Sequence, residues 1–157
     1  WLDVDWREHQ RWLTIGGSRV NVIELGSGPP LVFIHGLSGS WQNFLEQLPV
    51  FAREHRVIAF DLPGFGESDM PDAKITIRGY GEWVAALLDE LGVGTAAVVG
   101  NSMGGFIGIE LAIRFPQRVE RLVPHPCGEI RLRLPGLEQK PGAEAPHVAV
   151  PDIRSVV

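Results

Sequence analysis

Between Trp12 and Val123 the apolar positions switch between unbroken or alternating runs and a period near 3.6 residues. Trp12 to Ile15 and Arg19 to Leu25 read as two strands, joined in a hairpin by the turn Gly16-Gly17-Ser18. Leu31-Val32-Phe33-Ile34 is short and wholly apolar, the pattern of a strand buried on both faces. Arg56 to Phe60 and Ala96 to Val99 repeat that pattern. Ile77, Tyr80, Val84, Leu87, Leu88 and Leu91 fall on one helical face, which Gly92 ends. Ile107, Leu111, Ala112 and Phe115 mark a second helix, closed by Pro116, and Val119 to Val123 begins a further strand. A hairpin followed by alternating strands and helices predicts an α/β architecture, a mostly parallel sheet with helices on both faces.

Beyond Val123 the pattern changes. Pro124, Pro126, Pro135, Pro141, Pro146 and Pro151 interrupt every helical or strand period, and proline lacks the donor that a sheet ladder needs. Residues 124–157 therefore read as a loosely ordered tail. The 157 residues suffice for one domain with a real core. A net charge of −5 with scattered basic residues argues against nucleic acid or an anionic membrane as partner. Cys127 is the only cysteine, which excludes an intramolecular disulfide and thiolate metal sites and fits a reducing, cytoplasmic setting. No apolar run approaches the roughly 20 residues of a membrane span, and the polar start is not a signal peptide. A chain that opens on Trp1 implies that translation began upstream.

Gly100-Asn101-Ser102-Met103-Gly104 matches G-x-S-x-G, with an apolar strand before it and an apolar helix after it. That context is the one a nucleophile elbow requires. A sharp strand-to-helix turn lifts Ser102 into strained geometry, and small residues at 100 and 104 let neighbouring backbone pass close by. At a helix N-terminus, the Met103 amide points at developing negative charge. A plain glycine-rich turn is the bland alternative, and G-x-G-x-x-G of dinucleotide sites is absent after Val99. His35-Gly36-Leu37 follows the first buried strand. Asp61-Leu62-Pro63-Gly64-Phe65-Gly66-Glu67-Ser68 follows the second, and its carboxylate is expected to bond turn amides rather than serve as a catalytic acid.

These three motifs, in this order over about Trp12 to Val123, resemble the α/β-hydrolase fold superfamily, in its esterase and carbon–carbon-bond hydrolase branch. Serine at 102 is unlike the dehalogenase and epoxide-hydrolase branches, which place aspartate there. The resemblance implies that residues 1–123 are the N-terminal part of an α/β-hydrolase core acting on a small-molecule substrate without a cofactor. Ser102 would attack a carbonyl and form an acyl-enzyme, with the amides of Leu37 and Met103 holding the oxyanion. It also implies that His35 is a structural histidine bonded to backbone, because the base of this fold follows the serine in chain order.

The acid and base of the family are not identifiable in this chain. Ser102, Glu129 and His147 have the right order, but no strands separate them and proline-rich sequence surrounds both partners. A partial gene or a shifted reading frame would each give such a change of character. The two functional readings are a serine hydrolase represented incompletely and a non-catalytic module that pairs through an unfinished sheet edge.

Overall fold

The apolar runs pair into one sheet. The computed structural model describes residues 4–72 and 74–125. Its strands are β1 (Gln10–Ile15), β2 (Ser18–Leu25), β3 (Pro30–Ile34), β4 (Arg56–Phe60), β5 (Ala96–Asn101) and β6 (Val119–His125). They stand in the order β1-β2-β4-β3-β5-β6, with β1 and β2 antiparallel to their neighbours and β4, β3, β5 and β6 mutually parallel. The two-residue turn Gly16-Gly17 closes the β1–β2 hairpin in the register Ile15 to Ser18.

Side chains alternate across the sheet into two cores. Val20, Val22, Val32, Ile34, Ile58, Phe60 and Val98 point to one face, where α2 (Ile77–Glu90) and α3 (Met103–Arg114) cover them. Ile23, Leu25, Leu31, Phe33, Val57 and Ala59 point to the other, against Trp41, Phe44 and Leu48. Burial on both faces is why β3 and β4 read as continuous apolar runs. Thr76 starts α2 by accepting the Gly79 amide at 3.0 Å, and the helix carries its apolar stripe of Tyr80, Val84, Leu87 and Leu88 into the first core.

Three boundaries differ from the sequence expectation. The β3–β4 crossover is no regular helix but a 3₁₀ turn at Trp41–Phe44 and one helical turn, α1 (Leu48–Phe51). Apolar spacing runs through both, yet Pro49 cannot donate back to Leu45, so the helix must restart. A 3₁₀ turn at Trp6–His9, which no periodicity marks, lays Trp6 on Trp41 with ring centroids 5.1 Å apart. The tail boundary at Pro124 falls inside β6, which runs on through His125. The His125 carbonyl faces β5, so alternation turns the missing donor of Pro124 to the outer side of the sheet, where no strand among the described residues requires it. Residues 126–157 lie outside the described residues.

The order β4-β3-β5 also places the crevice. From β3 the chain leaves toward β4, and from β5 it leaves toward β6 on the opposite side. Loops at the carboxyl ends of two adjacent parallel strands thus diverge, and such a switch point is where α/β sheets bind ligands.

Leu87 is fully buried between α2 and the sheet. Leu87→Ala is expected to destabilise the chain by about 2–5 kcal/mol. The measurement is urea unfolding, with the midpoint falling and the slope unchanged.

Candidate functional site

Ser102 is the single residue between β5 and α3, and its backbone sits at φ 53° and ψ −117°. A non-glycine residue at positive φ costs about 1–3 kcal/mol and persists only where its surroundings over-determine it. Here the Ser102 amide donates to the His125 carbonyl at 2.6 Å, and its carbonyl accepts the Gly105 amide at 2.9 Å. The helix that follows is pressed against β3. A side chain at Gly104 would collide with the carbonyls of Ile34 and His35, the latter 2.6 Å from the added carbon. The Ser102 side chain does not cap α3. The Met103 amide therefore opens the helix with no partner among the described residues.

The loop after β3 lies against this turn. A Cβ built on Gly36 would sit 2.9 Å from the Ser102 Cβ and 3.5 Å from its Oγ, so only glycine lets the two chains approach this closely. Leu37 follows with its side chain largely exposed. Ser38 has φ 58°, and the Gly39 amide closes the turn on the Gly36 carbonyl at 3.1 Å. His35 is fully buried. Its Nε2 accepts the Leu62 amide at 2.9 Å, and its Nδ1 lies 2.7 Å from the Gly36 carbonyl. Burial pushes the imidazole below its ordinary value of 6.5, opposed by the bond to Gly36 and the charge of Asp61.

Asp61 fixes the third loop. It is 1% exposed, yet its carboxylate is supplied with donors. Oδ1 accepts the Trp41 amide at 2.8 Å, while Oδ2 accepts the Glu67 amide at 2.9 Å and the Asn21 side chain at 3.0 Å. The Asp61 carbonyl takes the Ser68 hydroxyl at 2.7 Å, and Ser68 Oγ accepts the Asn21 amide at 3.0 Å. A buried carboxylate so bonded is a structural anchor. Tyr80 secures the same loop by donating to the Pro63 carbonyl at 2.9 Å.

Of the residues singled out in the sequence, Ser102, Leu37 and Met103 thus lie at one rim, on the loops of β5 and β3. His35 and Asp61 sit beneath it with backbone partners. His125 ends β6 beside Ser102 through its carbonyl, whereas Glu129 and His147 lie outside the described residues. Asn21 escaped sequence reasoning, although a polar residue inside Val20-Asn21-Val22-Ile23 was its signal. Among the described residues no group of three His, Cys, Asp or Glu side chains could hold a metal ion, and no helix is long and apolar enough to cross a membrane. A recess of about 600 Å³ under the β1–β2 turn, lined by Ile15, Asp69 and Trp83 among others, does not include Ser102.

The profile of the family described as "alpha/beta hydrolase fold" matches residues 29–125. The dihydrolipoyllysine-residue acetyltransferase component of the acetoin cleaving system from Pseudomonas putida is 43% identical over 110 residues, covering 69% of this chain and 30% of that protein. The 2-hydroxy-6-oxo-2,4-heptadienoate hydrolase of Pseudomonas putida is 37% identical over 155 residues, covering 94% of this chain and 54% of that protein. A solved meta-cleavage product hydrolase from Pseudomonas fluorescens superposes with a TM-score of 0.69 at 31% identity, over 75% of this chain and 45% of its own. The chain spans about half the length of these relatives, or less. An alignment over 94% of the chain reaches past His125, so the likeness continues beyond the Val123 limit read from the motifs.

Gly104→Ala should cost more than an ordinary helix substitution, because the obstructing atoms are backbone carbonyls of β3. The expected readout is a lower thermal midpoint than that of Gly94→Ala, where an added Cβ meets nothing within 4 Å. A second outcome follows from His35, whose folded-state value is lowered. The unfolded chain then takes up the proton first, so this contribution to stability is complete above about pH 6.5 and is lost as the pH falls toward the folded value. Urea midpoints at pH 7.5 and 5.5 should differ more in the unmodified chain than in His35→Gln.

Proposed function

This chain belongs to the α/β-hydrolase fold family, and from that premise we propose that it carries the nucleophile and oxyanion site of a serine hydrolase acting on carboxylic esters or related carbonyl compounds. The observation that carries the reading is Ser102 at positive φ in the single-residue junction of β5 and α3. A strained backbone held by bonds on both sides is a cost that needs a return, and presenting a hydroxyl at the switch-point crevice supplies one.

In this reading the Ser102 Oγ attacks the substrate carbonyl, and the electron pair of the C=O bond moves onto oxygen. The amides of Leu37 and Met103 stabilise that oxyanion, the second aided by the α3 N-terminus. Collapse expels the leaving group and gives an acyl-enzyme, which water then hydrolyses. The name of one relative, the 2-hydroxy-6-oxo-2,4-heptadienoate hydrolase, contains a ketone and so supports a carbonyl substrate. Both it and the meta-cleavage product hydrolase are hydrolases by name.

The proton of Ser102 needs an acceptor. His35 has both nitrogens engaged and the Asp61 oxygens are bonded to amides, so neither is assigned that role. The remaining reading, a non-catalytic module, draws on β6, whose outer side has no strand among the described residues.

A fluorophosphonate probe and an activated aryl ester test the proposal on the 157-residue chain. The expected outcome is slow labelling that Ser102→Ala abolishes, with feeble ester turnover that His125→Ala and His147→Ala leave alike. Residual acceleration without a base is about 10³-fold over water in well-studied triads. Labelling that survives Ser102→Ala would remove the nucleophile. Efficient turnover lost in one histidine variant would identify the base within this chain.

A further inference from the structure

We propose that His35 is a positioning residue: its Nδ1 proton fixes the plane of the Gly36–Leu37 peptide and thereby aims the Leu37 amide at the oxyanion. The inference rests on the reading of Leu37 as an oxyanion donor. The Gly36 carbonyl and the Leu37 N–H are opposite ends of one planar trans peptide, so holding one end directs the other. The carbonyl is held twice, at 2.7 Å from His35 Nδ1 and at 3.1 Å by the Gly39 amide. The second bond alone would leave the plane free to swing about it.

The proton's position on the ring is dictated from the far side. The Leu62 amide points at Nε2 from 2.9 Å, and an N–H can only be accepted by a nitrogen that carries no proton. A neutral imidazole accepting there must hold its hydrogen on Nδ1, facing Gly36. Leu62 is in turn placed by the Asp61 loop, whose carboxylate collects the amides of Trp41 and Glu67. Complete burial and the edge of Phe65, with ring centroids 5.5 Å apart, keep the ring from turning. The β4 loop thus sets the tautomer of a β3 histidine, and the tautomer sets the direction of an amide beside Ser102.

Two substitutions separate this role from simple core filling. His35→Asn places an amide nitrogen near the position of Nδ1, keeping the donor to Gly36 and losing the acceptor for Leu62. His35→Gln places an oxygen near Nε2, keeping the acceptor and losing the donor. Residual dipolar couplings of the Leu37 N–H in the ¹⁵N-labelled chain read its direction. They are expected to match the unmodified chain in His35→Asn and to depart from it in His35→Gln. Fluorophosphonate labelling of Ser102 should slow about 10²-fold in His35→Gln, the effect of losing one oxyanion donor, and clearly less in His35→Asn. Equal changes in the two variants, or an unmoved Leu37 N–H in His35→Gln, overturn the proposal. If the unmodified chain does not label, the nucleophile reading fails while the couplings still decide the positioning role. If neither variant folds, long-range ¹H–¹⁵N spectra of the unmodified chain decide it. A proton on Nδ1 of His35 sustains the proposal, and a proton on Nε2 overturns it.

Discussion

The close passage of the chain across itself, where the end of β3 meets the first turn of α3, is the constraint on which the rest depends. Gly36 and Gly104 are the contact points, and a methyl group at either would collide with the opposing segment. With α3 seated against the carbonyls of Ile34 and His35, the junction with β5 turns within one residue. That residue is Ser102, and its backbone carries the strain. Sheet order supplies the crevice, and the close passage supplies what stands in it.

Beneath that contact most partners of the buried polar groups are backbone atoms. Asp61 binds amides from two loops as well as the Asn21 side chain, and His35 bridges an amide and a carbonyl from two loops. Loops at the ends of parallel strands have no ladder to hold them, so side chains with several acceptor or donor sites take its place. Each of these two residues is almost wholly shielded from water, which makes an unmade bond costly and the loop arrangement correspondingly definite.

How much of this could be read from the sequence follows from the range of each signal. The strands and helices that bury a full face announced themselves through period, and G-x-S-x-G announced the tight strand-to-helix turn at Ser102, because close approach demands small residues at fixed offsets. The restart of the helix at Pro49 was harder, since the apolar spacing from Trp41 to Phe51 runs on regardless of the missing donor. The partnership of Asn21 with Asp61 spans 40 positions and leaves no local trace beyond one polar residue in an apolar strand. The bonds of His35 to Leu62 and Gly36 involve main-chain atoms, which every residue has, so composition could mark the histidine as special but not say what it touches.

Pro124 has a consequence for how the sheet can grow. It lies opposite Gly100 at the carboxyl end of β6, one residue short of the carbonyl that holds Ser102. A strand laid along the outer side of β6 would find a complete ladder near Val119 and a missing rung at Pro124. Accretion at this margin is therefore weakest beside the crevice and strongest at the opposite end of the sheet. An added strand would zip up from the far end and splay as it neared Ser102, leaving the mouth of the crevice open even when the edge is covered.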